Sequence, residues 1–481
     1  MGMEPTASTA EPAGEAPPRV RKLGCLRIGL GLLGLALLGL GYWYFSLLHA
    51  RREFLRHAEA LVAEVESERP RVPEEENAAE LYDEAFRLYV DPAKCGAGEA
   101  DRNRLYSIDK ALEVAPDILA GFLKTNESFL AALRKAQERP SCQRPPDLRN
   151  LRSTYRGYNF ETRHAVRFLS ISARLKARAG ATGEATDLLL MALRLTGDAD
   201  AQRTLLSRTL RSACENLAVA GIQAVINDGD LLEADISRLL TSLRRCETDR
   251  GNLEEHLRVE TAFALRAYFG PLVSGEVSTQ ELLQLPGVLN LIPGNATTPP
   301  NDRERLLATC KTVLWQRGGY AVRDARFCET VMRRYAAAAS RPYPEALDLA
   351  ENTHNDALRQ KEWWKLLSGD LLDAVPNELA SDASILARLR AAQLSLGCRL
   401  HRLKFGAYPE RLAELSEKFP EHFKTLPADP FTGKDFLYKR TAAGCKVWSV
   451  GKNRRDDGGL SRADRDPNKR EVYDEVFELR R

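Results

Sequence analysis

The chain has 481 residues, 44% of them hydrophobic, and a formal net charge of +3. That length allows about three domains, and the apolar content is ample for cores outside a membrane. Lys and Arg are interspersed with Asp and Glu, which excludes the concentrated basic face that nucleic-acid binding requires.

Met1 to Pro18 is biased towards Pro, Ala, Thr and Glu, and residues 1–22 read as a disordered tail. Residues 23–49 read as a transmembrane anchor. Ile28 to Leu48 contains no charged side chain, and at ~1.5 Å per helical residue it reaches the ~30 Å of a bilayer's hydrocarbon core. Tyr42, Trp43, Tyr44 and Phe45 near its end are rings of the kind that favour the headgroup boundary. Arg19, Arg21, Lys22 and Arg27 precede the run and Arg51, Arg52 and Arg56 follow it. A cleaved signal has a shorter apolar core followed by small residues, whereas Leu47, Leu48, His49, Ala50 and Arg51 stand here. Cys25 precedes the apolar run, which is the wrong order for a lipidated cysteine. Gly24, Gly31, Gly34 and Gly41 fall close to a seven-residue repeat and offer a face for self-association. No spacing fits GxxxG, and glycine is common in membrane helices. The basic flanks are nearly balanced, so the commoner arrangement sets the expected side: short tail in the cytoplasm, bulk exported.

Residues 50–150 read as a juxtamembrane helical segment. Phe54, Ala58, Leu61 and Val65 share a face until Pro70 and Pro73 interrupt. A helix over Glu75–Val90 stops at Asp91-Pro92, and two more fit Ile108–Leu123 and Glu127–Gln137, with Thr125 or Asn126 as a cap. Residues 151–380 read as a helical domain. Helices are expected over Phe160–Ala179, from Gly183 through Leu195, over Ala201–Asn227, from an Asp230 cap to Cys246, and over Leu253–Phe269. Short turns make such helices antiparallel neighbours, and the pairs suggest a solenoid-like stack. The tetratricopeptide pattern is absent. Gly270 to Asn301 is rich in Pro, Gly, Ser and Thr and reads as a long loop or lid. Helices resume over Asp302–Ser340. Trp363 and Trp364 are adjacent, so one of them is expected to be only partly buried.

Residues 381–481 form the expected α+β module. Ile385, Leu389, Ala392, Leu396, Leu400 and Leu403 share one face of a helix from Asp382 to Phe405. Then come Gly406-Ala407-Tyr408-Pro409, a short helix through Leu415, and Asp429-Pro430-Phe431-Thr432-Gly433-Lys434. Phe436, Tyr438, Val447 and Ser449 alternate as in a strand pair turned at Ala443-Gly444. Ser449-Val450-Gly451, Asp456-Asp457-Gly458-Gly459 and a strand at Val472–Leu479 close the pattern.

This string resembles the C-terminal module of type II secretion major pseudopilins, a module also found at the end of many uncharacterised single-span bacterial envelope proteins. The resemblance covers the last fifth of the chain and implies a bacterial inner-membrane, single-pass protein. Hundreds of residues separate Leu48 from Asp382, which argues against assembly as a pilin subunit. In pseudopilins the acidic loop binds calcium, which takes several hard oxygen ligands. Asp456, Asp457 and Asp474 stand at the corresponding acidic positions. Asn453 and Arg454 depart from the pattern, and Lys452, Arg454 and Arg455 oppose a dication. The alternative is a solvated Asp-Gly turn held by Arg–Asp pairs.

Nine cysteines and seven histidines are scattered, without CxxC, HExxH or zinc spacing. Cys95 and Cys142, both in polar loops, are the best disulfide candidates in an oxidising compartment, or else two unrelated thiols. Glu254-Glu255-His256 with Glu260 has the wrong spacing for a carboxylate-bridged metal site and reads as a solvated charged face. There is no nucleophile elbow, Walker loop or dinucleotide fingerprint; the sequence identifies no reaction, catalytic residue or cofactor. The expected fold is mainly α, and the expected role is that of an anchored envelope scaffold presenting a helical surface to protein partners. The alternatives are an envelope enzyme of hydrolase type with a pocket between the stack and loop 270–301, and an accessory part of a secretion or pilus-like machine.

Overall fold

A computed structural model of the chain describes residues 20–69, 71–150, 153–154, 161–277, 302–360, 362–461 and 474–480. It is mainly helical with one small antiparallel sheet, and it forms two compact units, Met1–Phe54 and Leu55–Arg481. The described part of the first unit is the start of helix α1, Val20–Ser67. Its large apolar side chains from Ile28 to Phe45 each expose half or more of their surface. This helix is long and apolar enough to cross a membrane.

The second unit opens on the last turns of α1. Val62 and Val65 pack with Leu148, Val259, Ala262 and Phe263. The next helices are α2 (Ala79–Arg87), α3 (Glu99–Leu105), α4 (Pro116–Thr125) and α5 (Glu127–Ala136). The helix expected over Ile108–Leu123 is divided, because Pro116 lacks an N–H and so opens a helix rather than continuing one. Asn126 precedes α5 without capping it. Its buried amide instead pairs with both backbone groups of Val90 and with the Phe122 carbonyl.

Four long helices follow: α6 (Glu161–Arg178), α7 (Thr182–Asp198), α8 (Leu205–Asp228) and α9 (Glu233–Arg250). α6 packs on α7 and α8, and α9 on α7. Gly221 of α8 lies so close to α6 that a Cβ there would meet Ser170 Oγ at 2.6 Å. Asp230 does not cap α9, which Leu232 precedes; its carboxylate accepts from Arg399 at 2.9 Å.

α10 (Glu254–Phe263) widens into a π turn over Ala264–Phe269 and runs into α11 (Gly270–Ser274), so the expected loop begins as helix. The rest of that segment, 278–301, lies outside the described residues. α12 (Asp302–Arg317), α13 (Tyr320–Ala339) and α14 (Glu345–Arg359) complete this layer. Trp364 is buried and Trp363 is 38% exposed, as their adjacency requires.

The helix expected from Asp382 begins earlier: α15 spans Ser368–Phe405, with Pro376 inside it. Proline has no N–H to give Leu372, and the Tyr335 hydroxyl donates to that carbonyl instead, at 3.4 Å. After α16 (Glu414–Lys418) come β1 (Leu437–Thr441), β2 (Gly444–Ser449) and β3 (Glu475–Arg480), paired antiparallel in the order β1-β2-β3. Tyr438 faces Val447, which faces Phe477. α15 packs on β2, β3, α8 and α9. One core therefore runs from Ala78 to Leu479, and the segments expected at 50–150, 151–380 and 381–481 share it.

Candidate functional site

The second unit is organised around a buried cluster of charges. Asp382 of α15 accepts from Arg208 Nε of α8 at 2.6 Å and from Arg250 Nη2 of α9 at 2.5 Å. The Tyr343 hydroxyl donates to its other oxygen at 3.0 Å. Glu215 accepts from Arg250 and from Arg211. All five charged residues are buried. A charge leaves water at a cost of several kcal/mol unless it is paired and hydrogen-bonded, and here each guanidinium also donates to helix-end carbonyls or a hydroxyl. Arg208 reaches the carbonyls of Arg250 and Gly251, and Arg211 that of Cys246. Burial alone would raise the Asp382 carboxyl, but Arg250 and Arg208 outweigh it and hold it well below the usual carboxylate range.

Asp200, in the turn between α7 and α8, extends this cluster outward. His256 Nε2 of α10 lies 2.9 Å from Asp200 Oδ2, and the Ser207 hydroxyl 2.8 Å from Oδ1. Burial pushes the Asp200 carboxyl up, and His256 with Arg208 and Arg203 pulls it down further, leaving it low. The order is hydroxyl–carboxylate–imidazole. Acyl-transfer triads put the imidazole in the middle, where it takes the hydroxyl proton. With the carboxylate between them, Ser207 and His256 exchange no proton directly, and the trio ties α7, α8 and α10 together.

Asp200 and Arg211 also face a cleft of about 1380 Å³. One wall is the end of α1 with Arg69 and Arg71; the others are the Pro140–Arg149 loop, the α7–α8 turn and α9. Seven arginines and six carboxylates line it, so the wall is charged throughout but nearly balanced. Many of these side chains are held by partners. Arg69 donates to Glu255 at 3.2 Å and to the Gln202 carbonyl at 2.9 Å. Arg149 reaches Glu66 at 2.6 Å and Glu59 at 2.7 Å, and Arg194 donates to the carbonyls of Gln137 and Arg139. Asp198 accepts from the Tyr82 hydroxyl at 2.5 Å, and burial raises its carboxyl against that bond. No described residue of 270–301 lines this cleft; it opens elsewhere than the pocket expected there.

The segment expected to be a solvated charged face is one only at Glu255, which is exposed. His256 is 1% exposed, and Glu260 is half-buried, accepting from Leu205 N at 3.2 Å. Both continue the helical stripe of Leu253, Leu257 and Ala264, which is the signal that places them inward. Burial pushes the Glu260 carboxyl up to about 7, against the Leu205 hydrogen bond, from an ordinary 4.5. A folded-state value above the unfolded one destabilises the fold as pH rises through that interval, with a constant cost above it. Glu260→Gln keeps an acceptor for Leu205 and cannot ionise. It is expected to gain ~1–3 kcal/mol in urea denaturation near pH 8 and almost nothing near pH 4. An equal gain at both pH values would show that ionisation is not the cause.

The acidic residues of the C-terminal loop are each engaged by hydrogen-bond donors of this chain. Asp474, buried, accepts from Gly459 N at 2.8 Å and Asp457 N at 3.1 Å. Burial raises its carboxyl, with Asp457 and Asp456 adding to the effect. Asp456 accepts from Trp448 Nε1 at 3.0 Å and Gly458 N at 2.9 Å; Asp457 accepts from Asn453 Nδ2 at 2.8 Å. The arrangement is an Asp-Gly turn whose carboxylates serve this chain's own N–H donors, with Arg454 paired to Asp348 at 2.6 Å. Among the described residues no three His, Cys, Asp or Glu side chains gather as a metal site. Cys95 and Cys142 are free thiols. Burial pushes the Cys142 thiol up to about 12. Compared with protein-family models, curated proteins and solved structures, the chain matches none of them.

Proposed function

We propose that the protein is a membrane-anchored binding module that takes a charged segment of a partner protein into the cleft between α1, α7, α9 and the Pro140–Arg149 loop. The observation that carries this reading is the cleft wall itself. Several of its charged side chains, Arg69, Arg149, Arg194 and Asp198, are held by partners on separate elements before any ligand arrives, and side chains already ordered lose little entropy on binding. A nearly balanced wall selects a segment bearing both signs of charge rather than a polyanion. Ile28–Leu48 serves as the anchor, in a bacterial inner membrane, with the body outside the cytoplasm. The C-terminal sheet closes the end of the helical stack.

A photo-crosslinking residue in place of Ser242, inside the cleft, tests this in intact cells. It is expected to give discrete protein adducts in the membrane fraction. Arg245→Glu should weaken them, and so should raised salt, since exposed charge pairs are screened within ~10 Å at about 0.1 M. Adducts equally strong from the same group at exposed Lys110 would remove the cleft from consideration. Deleting 28–48 should release the chain from the membrane fraction.

A further inference from the structure

The helix α12 is fixed to the body on one side only. Thr312, Trp315 and Gln316 are buried. Trp315 Nε1 donates to the Trp364 carbonyl and Gln316 Nε2 to that of Val277, both at 2.8 Å. On the other side Leu306 is 65% exposed, Leu307 55%, Val313 39% and Leu314 49%, with exposed Cys310 among them. Successive spacings of one, three, three and one residues keep all five on one helical face. Exposed aliphatic side chains scattered singly need no explanation, but a contiguous stripe marks an interaction surface.

We propose that this stripe rests in the headgroup region of an anionic leaflet of the membrane that Ile28–Leu48 crosses. The inference builds on the proposed anchoring. Charge supports it: Arg303 and Arg317 are exposed at the two ends of the same face, where they meet lipid phosphate while the leucines sink towards the acyl boundary. The tether supports it too. Only eight residues lie between Leu48 and His57, at most ~32 Å even as fully extended chain. His57 pairs with Glu329 of α13, the next helix after α12, at 2.8 Å. A second copy of the chain is a poorer occupant: four aliphatic side chains offer about 400 Å² at most, half of the ~800 Å² per partner of a standard interface.

The test uses the full chain in phosphatidylcholine–phosphatidylglycerol vesicles, in a Cys25→Ser, Cys95→Ser, Cys142→Ser background. An environment-sensitive dye goes on Cys310, the exposed cysteine among the described residues. Blue-shifted emission and quenching by a lipid-borne quencher are expected. Both should be lost in the Leu306→Asp, Leu314→Asp variant and reduced by Arg303→Glu, with the thermal melt unchanged because these side chains are exposed. A dye quenched only by a water-soluble quencher, in chain that resists alkaline extraction, overturns the proposal and leaves the anchoring intact. Dye–dye contact without lipid quenching assigns the stripe to a second copy and also overturns it. Extraction of the whole chain by alkali overturns the anchoring and this inference with it.

Discussion

Asp382→Ala is expected to destabilise the second unit by roughly 3–5 kcal/mol, the range for removing one partner of a buried charge pair. The wild-type carboxylate is the shared acceptor of Arg208 and Arg250, and also takes the Tyr343 hydroxyl. Without it two fully buried guanidinium groups face each other across a cavity. Repulsion adds to desolvation, because these cations already oppose one another in the intact protein. The sign of the pH dependence follows from the Asp382 carboxyl being held below its ordinary 3.8. A depressed folded-state value contributes stability that is complete above the unfolded value and disappears as pH falls below it. Urea denaturation should therefore show wild type losing stability steeply as pH drops below about 4, with the variant flatter over the same interval. Loss of less than about 1 kcal/mol at neutral pH would mean that the neighbouring Glu215 and Asp200 carry the arginines alone.

The same residue shows what the sequence could convey. The stripe Ile385, Leu389, Ala392, Leu396 extended backwards reaches Asp382 in phase, and in α8 the stripe of Ala218 and Ile222 runs back through Glu215, Arg211 and Arg208. Helical period alone is thus enough to place these polar positions on the inner face, although none of them is among the core positions expected above. What it could not convey is that several such positions, from helices far apart in the chain, converge and neutralise one another; a charged residue read alone belongs outside. His256 and Glu260 mislead in the same way: their charge points to solvent although their spacing follows Leu253 and Leu257. The long apolar helix, the helical body and the strands of the small sheet were legible because each depends on a pattern local to its own segment. The cleft was not, since its walls come from four segments between 65 and 255. α12 was legible as a helix, but periodicity does not say which of two apolar faces the body will cover.

Asp429→Ala is expected to cost roughly 3 kcal/mol and to loosen the sheet end of the molecule first. Asp429 is 2% exposed. Its Oδ1 accepts from Phe431 N at 2.8 Å and from the Ser449 hydroxyl at 2.9 Å, and its Oδ2 from Val450 N at 3.2 Å. Its backbone closes the turn on the other side: Asp429 N donates to Lys434 O and Gly433 N to Asp429 O, both at 2.7 Å. Gly433, at φ +70, occupies the left-handed conformation this closure requires. The Asp-Pro-Phe-Thr-Gly-Lys string and the Ser-Val-Gly string are thus two halves of one clasp that fixes the start of the sheet to its central strand. Alanine leaves two buried N–H groups and a hydroxyl without their acceptor, each costing ~1–3 kcal/mol before relaxation. Asn at the same position keeps one acceptor oxygen and turns an amide towards Val450, so it should fall between alanine and wild type. Trp448, next to Ser449 in β2, reports the change by fluorescence, and limited proteolysis should cut first between 426 and 436. A variant that melts like wild type and resists cleavage would mean that backbone closure alone holds the turn. Asp429, Gly433 and Ser449 are thereby joined by hydrogen bonds within one turn and the strand beside it.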